Sequence, residues 1–235
     1  MATRIGLSSG TLPSSSAGEL AARTLQGNGD AVDLRAGKGH AWERAGLRRG
    51  IADITDRGVT VVFIGVSMVA GDPESAGFSY PGVPGYPIKA FCAGTPDVAV
   101  LAAQADAAVA ADTELWVELH RGGPNAADLI RLAAEAGVGV VVDLLGLVET
   151  GGACQDTLRD LAPHVRAVQV KGVHTTPDRR HRHRPLRPVD LEPLHTLLAG
   201  GASPAAITVE SKAGRPLDDL AVLRAELGDF VASAR

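Results

Sequence analysis

The sequence predicts an α/β protein whose parallel strands close into a barrel, on three observations. Short β-branched runs alternate with Ala/Leu-rich segments of helical period, the pattern of strands joined by crossover helices. Hydrophobic runs end on acids at Glu118, Asp143 and Glu210, as if successive strands delivered carboxylates to one rim. The first run leads into Gly6-Leu7-Ser8-Ser9-Gly10-Thr11-Leu12-Pro13, which lacks the glycine spacing of a dinucleotide-binding turn and argues against an open Rossmann-type sheet.

Seven strands are expected, over Arg4–Ser8, Ala31–Arg35, Val59–Val66, Glu114–Leu119, Val138–Leu144, Val165–Lys171 and Ala206–Glu210. Helices are expected from Pro124 to Gly137, Pro188 to Gly200 and Pro216 to Gly228, each opened by proline and closed by glycine around a leucine-rich stripe. Only three of the strands precede Glu118. Either a short strand lies over Pro87–Cys92, or the barrel is incomplete or irregular, with a long loop at about 68–96. Two connections are long enough to be lids or solvated insertions: Gly71 to Pro96, which holds both tyrosines, Tyr80 and Tyr86, and Gly172 to Pro188, which holds the run Arg179-Arg180-His181-Arg182-His183-Arg184. For that run a solvated or disordered loop is the first expectation, as for other blocks of like charge.

At 235 residues with 45% hydrophobic residues, the chain is expected to form one domain over 1–235. A formal charge of -4 argues against nucleic acid or an anionic membrane as the main partner. No apolar run approaches the roughly 20 residues of a membrane-spanning helix. Two distant cysteines, Cys92 and Cys154, and no secretory start predict reduced thiols and a soluble, cytoplasmic protein.

Carboxylates at strand ends are costly to bury unless a metal ion or a cation compensates. Because side chains alternate along strands, Trp116, Glu118 and His120 share one face, as do Ala167, Gln169 and Lys171, and Thr208, Glu210 and Lys212. The same parity also suits a purely structural layer in which Lys171 and Lys212 neutralise the acids. The second strand runs into Arg35, Lys38, His40 and Trp42 around two glycines, a group suited to an anionic or polyhydroxylated substrate; in the plainer reading Arg35 pairs with Asp33 or Glu118 and Trp42 covers the barrel. Ser67 is a weaker polar candidate at the end of the third strand.

The order Glu118, Asp143, a polar residue and Glu210 on four late strands resembles the xylose isomerase-like superfamily of TIM barrels, a group that spans sugar isomerases and epimerases, inosose-processing enzymes and endonuclease IV-type repair enzymes. The resemblance covers most of the chain. It implies a TIM (β/α) barrel holding one divalent metal with Glu, Asp, His and Glu, and acidic residues that move a proton next to a carbonyl. Glu118, Asp143 and Glu210 match the first Glu, the Asp and the final Glu. In Val168-Gln169-Val170-Lys171, Gln169 stands where relatives have the His of His-x-Lys-Asp, and Gly172 stands for its Asp. Gly146 stands where many relatives place a His three residues after the metal Asp. An amide oxygen at Gln169 suits Mg or Mn better than Zn, and the shortage of histidines argues against multi-zinc nuclease chemistry.

The expected function is therefore isomerisation or epimerisation of a sugar, sugar acid or polyol. Glu118 and Glu210 are expected to be the catalytic pair and metal ligands, with Asp143 and Gln169 completing the metal shell. Arg35, Lys38, His40, His120 and Lys171 are expected to hold the substrate, a sugar or phosphorylated sugar. Two alternatives stay open: a Schiff-base aldolase or lyase on Lys171, and an inactive barrel that binds a metabolite. Barrels of this superfamily often associate, which leaves a homo-oligomer as an option.

Overall fold

The structure, a computed structural model, describes residues 3–75, 85–178 and 181–233. Its strands are β1 (Arg4–Ser8), β2 (Ala31–Arg35), β3 (Thr60–Val69), β4 (Ile88–Phe91), β5 (Leu115–Glu118), β6 (Gly139–Asp143), β7 (Val165–Val170), β8 (Gly172–Thr175), β9 (His181–Arg184) and β10 (Ala206–Val209). Strands β1 to β7 and β10 are parallel neighbours all the way round and close as β10 pairs with both β7 and β1. The fold is an α/β TIM barrel with eight strands. The strand missing from the hydrophobicity pattern is β4, whose short run is interrupted by the buried Lys89.

The helices are α1 (Ala17–Gln26), α2 (Leu47–Thr55), α3 (Val98–Ala110), α4 (Ala126–Ala136), α5 (Leu144–Glu149), α6 (Gln155–Leu161), α7 (Glu192–Ala199) and α8 (Pro216–Ser233). In α4 the expected stripe of Leu129, Leu132, Ala133 and Ala136 is buried, but the first helical residue is Ala126 and not Pro124, behind the cap Asn125, whose side chain accepts from the Asp128 amide. The segment from Pro188 begins as a 3-10 turn and becomes α helical only at Glu192. Helix α8 continues past Gly228. Leucine, valine and alanine from these helices and from the outward faces of the strands make the main core.

The barrel interior is a separate, smaller body. Its lower part is closed by Ala31, Phe63, Trp116, Val141, Ala167 and Ala206, with Phe63 and Trp116 at a ring-centroid separation of 5.7 Å. One step further toward the C-terminal ends, the inward positions are polar.

The connection after β7 differs from expectation. His181–Arg184 is a strand, β9, paired antiparallel with β8, so the last four residues of the charged run are ordered sheet and not a solvated loop. Arginine and histidine alternate there with period two, which puts them on opposite faces of the hairpin. Arg184 anchors the hairpin through two bonds to Asp190, at 2.7 and 2.6 Å. Arg179, Arg180 and Tyr80 lie outside the described residues. No helix among the described residues is long and apolar enough to cross a membrane.

Candidate active site

Three side chains reach the C-terminal mouth as the parity of their strands requires. Glu118 ends β5, Asp143 ends β6 and Glu210 follows β10, and each offers a carboxylate oxygen within 4.8 Å of the others. All three are buried. Asp143 is fixed by double duty: its Oδ1 accepts from the amides of Leu145 (2.7 Å) and Gly146 (3.0 Å) at the start of α5, which leaves Oδ2 for the mouth.

The burial is compensated by cations. Lys171, 3% exposed, donates to Asp143 Oδ2 and, at 2.8 Å, to Glu210 Oε2. Lys89 of β4 pairs with Glu118, and Arg35 stands 3.1 Å from the second oxygen of Glu210. That Arg35 contact is an ion pair and not a hydrogen bond, and Glu210 Oε1 makes no hydrogen bond. The neutralising lysines are thus Lys171 and Lys89, where sequence reasoning had set Lys171 beside Lys212. Arg35 pairs with Glu210, not with Asp33 or Glu118.

Burial tends to raise the Glu210 carboxyl, but Lys171, Arg35 and Lys89 outweigh it and hold that group well below the usual carboxylate range. Burial raises Asp143, and Lys171 does not fully offset it. For Lys171 burial acts downward, yet Asp143 and Glu210 win and hold its ammonium above the usual lysine range. An amine kept protonated in this way is a poor Schiff-base nucleophile, which works against the aldolase reading.

Gln169 also faces inward and is fully buried, but its Nε2 donates to Asp33 at 3.3 Å while its Oε1 has no partner. Asp33, on β2, also accepts from Ser8 (2.7 Å) and Thr208 (2.5 Å). This layer of neutral donors around one acid separates the apolar plug from the charged mouth. Burial, and next the charge of Glu210, pushes the Asp33 carboxyl up to about 6.

A cavity of about 190 Å³ opens above the triad, lined by Arg35, His120, Lys171, His183 and Lys212 as well as the three acids. His120 lies at its exposed edge with its ring 5.4 Å from that of Phe91. Lys38 is exposed and His40 is buried with Nδ1 unbonded, and neither lines this cavity. Trp42, 1% exposed, belongs to the core and has no face free for stacking. Ser67 is exposed and also stands apart.

Sequence reasoning missed three residues of this region. Lys89 lies on the short strand allowed for over Pro87–Cys92 but was given no role there, and Asp33 was weighed only as a partner for Arg35. His183 arrives on the hairpin, where the alternation of the Arg/His run was the available signal. Its Nδ1 accepts from the Lys212 amide at 3.1 Å, so in the neutral ring Nε2 carries the proton. Burial, and then the charges of Lys171 and Lys212, lower its pKa to about 4.

Two of the three positions that depart from the expected pattern, Gly146 and Gly172, have a steric reason. A first side-chain carbon at Gly146 would lie 1.9 Å from the Leu119 carbonyl oxygen, and one at Gly172 would lie 2.4 Å from that of Pro185. Backbone occupies the space that His or Asp would need.

Geometry of this kind defines a class: an α/β barrel with the fold of the xylose isomerase-like TIM barrels and an acidic, cation-balanced mouth. No protein-family model and no curated protein matches the chain. Solved structures do match it in fold. L-ribulose 3-epimerase shares 16% identity at a TM-score of 0.70, covering 99% of this chain and 96% of that one. A xylose isomerase domain-containing protein of Salmonella typhimurium shares 14% at 0.71, covering 97% of each chain. The IolI protein, solved with a zinc atom, shares 14% at 0.73, covering 98% of this chain and 99% of that one.

Proposed function

We propose that the protein is an isomerase or epimerase of a sugar, sugar acid or polyol, acting by carboxylate proton transfer beside a carbonyl. The observation that carries this reading is the convergence of Glu118, Asp143 and Glu210 within 4.8 Å at the mouth of the barrel. The fold shared with L-ribulose 3-epimerase supports it.

The three acids could hold a divalent metal. Glu210 Oε1 is buried and accepts no hydrogen bond, with only the Arg35 ion pair beside it, and a donor set of carboxylates, with Gln169 Oε1 as an unpartnered amide oxygen in the layer below, suits Mg or Mn better than Zn. When bound, such an ion would polarise the substrate carbonyl. The chain's own groups do the rest. Glu118 and Glu210 are the proposed pair that takes a proton from the carbon next to the carbonyl and returns it, the electron pair resting meanwhile on the carbonyl oxygen as an enediolate. Glu210, held ionised, begins as an acceptor. Lys171 and Arg35 are the cations available to the developing oxyanion, and His183 offers a neutral donor at Nε2. Arg35 and Lys212 on the cavity wall suit a carboxylate or phosphate on the substrate.

Deuterium exchange tests this directly. In D2O, NMR of a panel of ketoses and aldoses is expected to show wild-type protein exchanging the hydrogen next to the carbonyl, and Glu118→Gln and Glu210→Gln slowing it by roughly 10²–10⁴-fold. Metal content of freshly purified protein is expected to fall in both variants; unchanged content in both would remove the metal from the proposal, and unchanged exchange would remove the carboxylate pair.

A further inference from the structure

We infer that Lys171 is the resident cation of the acidic mouth, and that its ammonium and a divalent metal exclude one another from Asp143 and Glu210. This rests on the metal reading above and says what governs it. Lys171 bridges two of the three acids, with its side chain 4% exposed. Lys89 takes the third acid and Arg35 takes the remaining side of Glu210. Three carboxylates therefore face three fixed cations, and the mouth is neutral as it stands. Asp33 lies one layer below, hydrogen-bonded to Ser8, Thr208 and Gln169, and pairs directly with none of these three cations.

A divalent ion seated among these oxygens would stand beside an ammonium already bound to two of them. Like charges at contact distance in a site cut off from water repel strongly, so one must leave. Lysine is suited to leaving: its charge is a single point on a flexible four-carbon stem. The space is present too. The cavity adjoins Lys171 and is also lined by Glu149, a carboxylate that could receive the displaced ammonium. Lys171 in this account sets how tightly metal is held, and the superfamily geometry of the acids alone does not.

Calorimetric titration with Mn²⁺ of the wild type, Lys171→Met and Lys89→Met tests the inference without any substrate. Lys171→Met is expected to bind Mn²⁺ roughly tenfold or more tightly than wild type, and Lys89→Met to gain less, since Lys89 touches one acid and not two. Equal or weaker binding by Lys171→Met than by a metal-binding wild type overturns the inference and leaves the metal reading standing. No Mn²⁺ binding by any of the three proteins overturns both. Should Lys171→Met fail to fold, a crystal structure of the wild type with Mn²⁺ bound decides: Lys171 Nζ is expected off both carboxylates, and Nζ still between Asp143 and Glu210 beside the ion refutes the exclusion.

Discussion

The two ends of the barrel lumen are built on the same strands by opposite means. Toward the N-terminal end, Trp116 and Phe63 fill the space among small residues such as Ala31, Ala167 and Ala206. Two residues along the same strands, Trp116 gives way to Glu118, Val141 to Asp143 and Ala31 to Asp33. The lower end is held by contact area, and the upper by charge pairing in a dry setting. Alternation along a strand fixes which residues meet in the lumen, but not whether they meet as hydrocarbons or as ions. The apolar plug also keeps water from the charged layer's lower side, so the upper ions are exposed only through the mouth.

Substitutions should separate these two modes of cohesion. Trp116→Ala empties the largest ring from the plug and is expected to cost about 3–5 kcal/mol in urea unfolding, with no second substitution in the charged layer relieving it. Lys89→Met is expected to cost a similar amount, about 3–5 kcal/mol, by leaving Glu118 buried and unpaired. The double variant Lys89→Met/Glu118→Leu, in contrast, is expected to return to within about 1 kcal/mol of wild type or better, because neither charge remains to be desolvated. A double variant no more stable than Lys89→Met alone would remove the distinction between the two ends.

The smallest effect concerns the hairpin that roofs the charged end. The His183 ring is expected to titrate at about 4 in the folded protein, against an ordinary 6.5. Its folded-state pKa is depressed, so as pH falls through 6.5 the unfolded chain takes up this proton first. His183 thus contributes stability that is whole above that pH and is lost progressively as pH falls toward 4. Histidine-resolved NMR titration measures this, and a midpoint near the ordinary value would show that the hairpin does not close on Lys171 and Lys212.

The acids of the mouth were legible in sequence because each ends an apolar run, and strand parity alone brings Glu118, Asp143 and Glu210 together. Of their partners, Lys171 was legible by the same parity, and Lys89 was not. The short strand allowed for over Pro87–Cys92 is β4, but a four-residue run does not fix which way Lys89 points, so its ion pair with Glu118 was not read. Trp42, beside two glycines and several cations, suited either a substrate face or a cover for the barrel; its burial depends on how the 3-10 turn Ala41–Glu43 folds over Gly50, a tertiary matter. Gln169 has the inward position expected of it, yet the neighbour it finds is Asp33, a contact made across the lumen between β7 and β2, far apart in sequence.

The glycines at 146 and 172 set how this mouth can be varied. Because the Leu119 and Pro185 carbonyls stand where a first side-chain carbon would go, placing His at 146 or Asp at 172 requires the backbone of α5 or of the β8–β9 hairpin to move. Reshaping the mouth at these two positions therefore calls for exchange of the surrounding loops and not of single residues.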